Sequence, residues 1–174
     1  MGKINLKPKA PTTFLTHNSR QNKMSYSLRA GYSLGVNSQK INLLKTEADI
    51  QAHLGKQLSL GAGTGMHYVV NTKDALLPVY GLLCFNRIFP QAPVYLSVRS
   101  GVTVDLMKGM QSEGVYLLLN PEIGYELRLS NHLKCIISIG YDFHKYKMSY
   151  QGYGVTPGSV INLHGISVNA GLIL

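Results

Sequence analysis

From Met24 to Leu174 the chain repeats one pattern eight times, with apolar side chains on one parity and small or charged ones on the other. The first segment shows it most plainly. Met24, Tyr26, Leu28, Ala30, Tyr32, Leu34 and Val36 interleave with Ser25, Ser27, Arg29, Gly31, Ser33, Gly35 and Asn37. A period of two sustained over that length predicts a β-strand, because successive strand side chains point to opposite faces. Strands in soluble domains run to roughly five or six residues, whereas a strand tilted across a bilayer needs about nine to eleven.

The same parity carries down the chain. Leu44, Thr46, Ala48, Ile50, Ala52 and Leu54 oppose Lys45, Glu47, Asp49, Gln51 and His53. Leu58, Leu60, Ala62, Thr64, Met66, Tyr68 and Val70 oppose Ser59, Gly61, Gly63, Gly65 and His67. A fourth segment, 77–86, is apolar on both faces, and its register stays open. Further segments span 94–105, 115–128, 133–144 and 165–174, the last alternating Ile166, Val168, Ala170, Leu172 and Leu174 with Gly165, Ser167, Asn169 and Gly171. The predicted fold is all-β, an eight-stranded antiparallel up-and-down transmembrane β-barrel.

Composition decides which face points inward. A water-facing sheet surface is rich in Lys, Glu and Thr, yet only 14% of this chain is charged and its polar parity is dominated by Gly and Ser. Eleven of the eighteen glycines lie there: Gly31, Gly35, Gly61, Gly63, Gly65, Gly101, Gly114, Gly124, Gly140, Gly165 and Gly171. Glycine weakens a strand unless space is tight, and the inside of a narrow barrel is tight. Six of the eight carboxylates, Glu47, Asp49, Asp105, Glu122, Glu126 and Asp142, fall on the same parity, together with Arg29, Lys45, Arg99, Arg128 and Lys134. Opposite charges on one confined face can neutralise each other, whereas an unpaired buried charge costs several kcal/mol. Glu122, Glu126, Arg99 and Arg128 are expected to form an inward structural network, with Arg29, Glu47 and Asp49 joining across the closure and Asp142 on the same face. The other face carries aromatics near the strand ends, Tyr26, Phe85 and Tyr125 at one level and Tyr68, Tyr141 and Phe143 at the other. Two such belts around an apolar band match a barrel facing lipid.

With both termini periplasmic, the turns after strands two, four and six should be short. Gly55–Gln57 and Ser130–His132 are tight and Arg87–Ala92 moderate, while Asn71–Leu76, Met107–Glu113 and Ser149–Gly158 are expected to be longer, with only the first outer turn, around Ser38, short. The length suits one domain, 24–174, preceded by a basic flexible tail or linker, 1–23, with Lys3, Lys7, Lys9, Arg20 and Lys23. The chain has no apolar run of about eighteen residues, as a membrane-spanning helix requires. The tail also lacks the apolar stretch of a secretory signal. An outer-membrane protein must be exported, so the chain is expected to be a mature or truncated form.

Motifs for chemistry are absent. The net charge of +9 draws five positives from the tail, and no recognition helix or aromatic-basic signature accompanies it, which argues against nucleic acid. Cys84 and Cys135 lie on opposite parities of non-neighbouring strands, a poor geometry for a disulfide. His17, His53, His67, His132, His144 and His164 have no metal-ligand spacing, and no cofactor is expected. Gly61, Gly63 and Gly65 copy a nucleotide fingerprint only in letters, since they lie inside a strand and open no helix.

LSLGAGTGMHY from Leu58, LLPVYGLLCFN from Leu76, PVYLSVRSGVTVDL from Pro93, NPEIGYEL and CIISIGYDF together resemble the small outer-membrane β-barrel proteins of Bacteroidetes, akin to OmpX and the OmpA barrel. The resemblance spans about residues 24 to 174 and implies a bacterial outer-membrane location, with the lipid bilayer and lipopolysaccharide as partners. One departure is the last residue, Leu174, where such barrels commonly end in an aromatic. Eight strands around a filled interior argue against a general diffusion pore, which needs about sixteen. The expected role is a non-enzymatic membrane barrel that anchors, stabilises or displays its outer connections for binding. Two alternatives remain: a soluble lipocalin-like calyx with the apolar parity inside, and a lipid-modifying enzyme. The enzyme would need a nucleophile beside a histidine, and here His164 and Ser167 differ in parity.

Overall fold

The computed structural model describes residues 24–36, 40–71, 73–89, 91–106, 115–130, 133–147 and 160–174. The tail expected over 1–23, Gly114 and the connection residues 149–158 lie outside the described residues. Eight strands follow in order: β1 (Met24–Gly35), β2 (Leu43–His53), β3 (Leu58–Val69), β4 (Asp74–Phe85), β5 (Val94–Asp105), β6 (Val115–Arg128), β7 (Lys134–Lys147) and β8 (Val160–Ile173). Each pairs antiparallel with its sequence neighbours, and β8 returns to β1 to close the barrel. Closure removes every sheet edge, which lets a sheet cross hydrocarbon without an unpaired backbone group.

The stagger of the barrel follows from the register. Tyr26 stands opposite Ile50, Ile50 opposite Ala62, Ala62 opposite Gly81, Gly81 opposite Ser100, Ser100 opposite Leu119, Leu119 opposite Phe143 and Phe143 opposite His164. His164 in turn accepts the amide of Val36, so one circuit advances ten residues along β1, from 26 to 36. Strands in such a barrel are strongly tilted, and side chains close in sequence on different strands need not sit at the same height.

Inside and outside are reversed relative to a water-soluble domain. Leu28, Leu34, Leu44, Leu60, Val79, Ile123, Ile137, Ile139 and Val168 are exposed on the outer surface, while Arg29, Lys45, Glu47, Asp49, Arg99, Glu122 and Asp142 are buried within. A calyx that holds an apolar ligand requires the opposite arrangement. In β4, Pro78, Tyr80, Leu82 and Cys84 face in and Val79, Gly81 and Phe85 face out, which settles the register that its composition left open. Tyr26, Phe85, Tyr125 and Tyr141 are exposed on the outer face, with Tyr68 and Phe143 half-buried there.

Three boundaries differ from expectation. β8 begins at Val160, five residues before Gly165, because β7 continues to Lys147 and offers it partners down to the pair Lys147 and Val160. β4 begins at Asp74, where Val69 pairs with it, so the connection expected to be long is a tight turn over 70–73. There Lys73 takes a left-handed backbone (φ 61°) and its amide returns to the Val69 carbonyl at 2.8 Å. The connection 86–93 at the other end is longer than that turn, so the expected asymmetry between the two ends holds only for 106–114 and 148–159.

Interior glycines make room for large neighbours. A Cβ on Gly63 would strike Asp49 and the Tyr80 ring, and one on Gly101 would strike Tyr80 and the Val79 carbonyl. Tyr80 therefore lies between two glycines on the strands flanking its own. A Cβ on Gly81, on the outer face of the same region, would meet only the Ser100 carbonyl, at an ordinary contact distance of 3.9 Å. Gly101→Ala is expected to lower stability by about 1–3 kcal/mol, since the obstacle includes backbone, and Gly81→Ala to stay within about 0.5 kcal/mol. Urea titration of the folded barrel in detergent compares them, and equal losses would contradict the tight interior.

Candidate functional site: the polar barrel interior

The inward parity brings Arg29, Glu47, Asp49, Arg99 and Glu122 into one cluster at mid-height. Glu122, on β6, is its centre. Its Oε1 accepts from Arg29 Nη1 (2.9 Å), Tyr95 OH (3.2 Å), Ser97 Oγ (3.1 Å) and Arg99 Nη2 (2.7 Å). Its Oε2 accepts from Arg99 Nη1 (2.7 Å), Ser138 Oγ (3.2 Å) and Asn169 Nδ2 (3.3 Å). The Arg99 guanidinium thus grips the carboxylate with both terminal nitrogens, the strong two-point geometry of this pair.

Arg29 carries the cluster across the barrel. Its Nη2 lies 3.0 Å from Glu47 and 2.9 Å from Asp49. Glu47 continues to His67 Nε2 at 2.9 Å, and Asp49 accepts from Tyr80 OH at 2.6 Å and Ser27 Oγ at 2.8 Å. Every one of the eight strands therefore contributes at least one side chain: Arg29, Glu47, His67, Tyr80, Arg99, Glu122, Ser138 and Asn169 in chain order. Next to this cluster Lys45 Nζ bonds both Asp142 oxygens, at 3.0 and 2.9 Å, and Asn120 links Asp142 to Arg99. His67 and His144 meet edge to face at 5.4 Å.

The two ends of the interior differ. At the end far from the termini Ile41, Leu43, Val69, Leu76 and Leu163 form a buried apolar cluster on the inward face. At the terminal end a small recess, with a cavity volume of about 30 Å³, reaches down to Arg29, Arg99 and Glu122. Cys84, Tyr95 and Ile136, with Ile173 against them, form its apolar wall. His53 Nδ1 and Asn86 Nδ2 share Ser59 Oγ at its rim, at 2.7 and 2.8 Å.

Of the expected network residues, Arg29, Glu47, Asp49, Arg99 and Glu122 come together, and Asp142 joins them through Asn120. Two do not. Arg128 is exposed at the rim, because it ends β6 beyond the closed section of the barrel. Glu126 lines the recess mouth and pairs with Lys134 at 2.8 Å, part-exposed, and not with Arg99. Sequence reading placed Lys45 on the right face without a partner and missed Tyr80, Tyr95, Asn120 and Asn169. Tyr95, Asn120 and Asn169 share the signal of a large polar side chain on the glycine-bearing parity, whereas Tyr80 lies on the strand whose register the sequence leaves open and whose one glycine, Gly81, faces out.

Other candidates fall apart in space. Ser167 is buried inside while His164 lies on the outer face, bonded to Tyr141 OH at 2.7 Å and meeting Phe143 edge to face, so the two cannot act on one substrate. Cys84 faces in and Cys135 faces out, and both are free thiols. Among the described residues no group of three His, Cys, Asp or Glu side chains could hold a metal ion.

An outward apolar band, an inward ion-paired core and eight closed strands define a barrel of the outer-membrane class. No protein-family model matches the chain, and no curated protein matches its sequence. Among solved structures, the crystal structure of Neisserial surface protein A aligns with a TM-score of 0.57 at 11% identity, over 88% of this chain and 97% of that one. Outer membrane protein AlkL, solved by solid-state NMR in DMPC lipid bilayers, aligns at TM-score 0.46 and 9% identity, over 99% of this chain and 94% of that one. A designed transmembrane β-barrel gives 0.46 at 15% identity, over 86% and 92%. The likeness to the Neisserial protein is one of fold: a small eight-stranded outer-membrane barrel.

Removing the Glu122 carboxylate would take from Arg99 its two-point partner and from Arg29 one of three carboxylates. Glu122→Ala is expected to cost about 3–5 kcal/mol, whereas Arg128→Ala should cost at most about 0.5 kcal/mol. Urea unfolding of both variants in the same detergent makes the comparison; similar midpoints for the two would sink the assignment of Glu122 as the centre.

Proposed function

We propose that this chain is an integral protein of the bacterial outer membrane whose filled interior is structural and whose longest connections, 106–114 and 148–159, mediate binding. The observation that carries the reading is the network through Glu122, Arg29 and Glu47, which occupies the barrel at mid-height where a pore would have to be open. Eight strands leave an interior just wide enough for side chains, and here those side chains are tied to one another. General porin activity and catalysis are both set aside on this reading. Lipid is the first partner, with lipopolysaccharide the expected contact at the end carrying the long connections. The likeness of the strand motifs to small Bacteroidetes barrels supports the same role.

Gel mobility and conductance test it together. The refolded protein should migrate differently before and after boiling, and planar bilayers containing it should lack long-lived porin-sized current steps. Sustained large steps from the heat-shifting form would remove the structural reading of the interior.

A further inference from the structure

The three connections at the terminal end share a feature that the barrel itself does not need. Each sets an exposed large apolar side chain next to an exposed cation. Leu54, 61% exposed, lies two residues from Lys56; Ile88 and Phe89, 42% and 57% exposed, follow Arg87; Leu129, 60% exposed, follows Arg128. These connections, 54–57, 86–93 and 129–133, join β2 to β3, β4 to β5 and β6 to β7, and so are spread around the barrel circumference. Among the described residues none of the three cations has a carboxylate partner, and the carboxylate at this rim, Glu126, is held by Lys134.

Along β4 the outer face reads Val79, Gly81, Leu83, then Phe85, then Arg87 beyond the strand end. Apolar, aromatic, cationic is also the order of a bilayer from acyl chains through the interface to the phosphates. Left in water, Ile88 and Phe89 would expose apolar surface with no benefit. At the headgroup boundary the same side chains enter the acyl region while the neighbouring cation reaches a phosphate. A folded protein partner would cover one side of the rim, whereas the apolar and cationic pairs recur on three sides.

We infer that this rim binds the headgroups of anionic phospholipids in the leaflet it borders, through Lys56, Arg87 and Arg128 with Leu54, Ile88, Phe89 and Leu129 anchored beside them. The inference rests on the membrane-barrel reading above. In a barrel whose termini are periplasmic, this rim borders the phospholipid leaflet.

The chain has no tryptophan, so Phe89→Trp supplies a single fluorescent reporter at the rim. The variant is reconstituted in phosphatidylcholine vesicles containing phosphatidylglycerol, with bromine on the acyl chains of one lipid or the other. Brominated phosphatidylglycerol should quench about fivefold more per mole fraction than brominated phosphatidylcholine. Adding Lys56→Gln, Arg87→Gln and Arg128→Gln together should bring that ratio to near one with the heat-dependent gel shift retained. Equal quenching by the two lipids in the parent reporter, or no quenching by either, overturns the inference while a retained gel shift leaves the barrel intact. A ratio unchanged by the three glutamines overturns the assignment of these cations. Loss of the gel shift in the reporter itself removes the barrel reading and this inference with it.

Discussion

A charge inside a closed barrel has only the barrel to answer it. Seven donor contacts converge on the Glu122 carboxylate, and from there Arg29 leads to Glu47 and Asp49 on the far wall. The consequence is cooperative. Because each of the eight strands holds one member of this network, no strand can shift register without leaving a buried polar group unpaired, which costs more than most single contacts contribute. The backbone obeys the same constraint, since closure of β8 on β1 leaves no edge to desolvate.

Space sets the second condition. Tyr80 and Tyr95 reach the carboxylates only because Gly63, Gly101 and Gly124 leave the neighbouring strands bare beside them, and Arg29 passes Gly171 in the same way. The interior is thereby divided along its length. A recess opens at the terminal end, the polar network fills the middle, and Ile41, Leu43, Val69, Leu76 and Leu163 close the far end. Charged groups sit where the surrounding bilayer is most apolar, which demands that their partners be internal.

Much of this was legible in the chain. A strict period of two separates inside from outside without any knowledge of the fold, and the concentration of Gly, Ser and carboxylates on one parity shows that the polar side is confined. Partner choice was not legible, because it depends on the ten-residue stagger. Arg99 and Arg128 share a parity with Glu122, yet only Arg99 sits at its height, while Arg128 and Glu126 end up at the rim. The cluster of Ile41, Leu43, Val69, Leu76 and Leu163 escaped for a related reason. Apolar residues on the polar parity look like breaks in the alternation, and only the closed barrel shows that they lie together at one end. The early start of β8 follows from pairing with β7, a contact that local periodicity does not encode.

The most direct measurement is residue-resolved labelling of the unmodified protein in proteoliposomes with a lipid-soluble diazirine, read by mass spectrometry. The carbene should mark Leu28, Ile137, Ile139 and Val168 and leave Arg29, Glu122, Ser138 and Asn169 untouched, because the first set lies on the outer face and the second is buried within. Labelling concentrated on the second set, with the first protected, would invert the barrel and contradict an ion-paired interior.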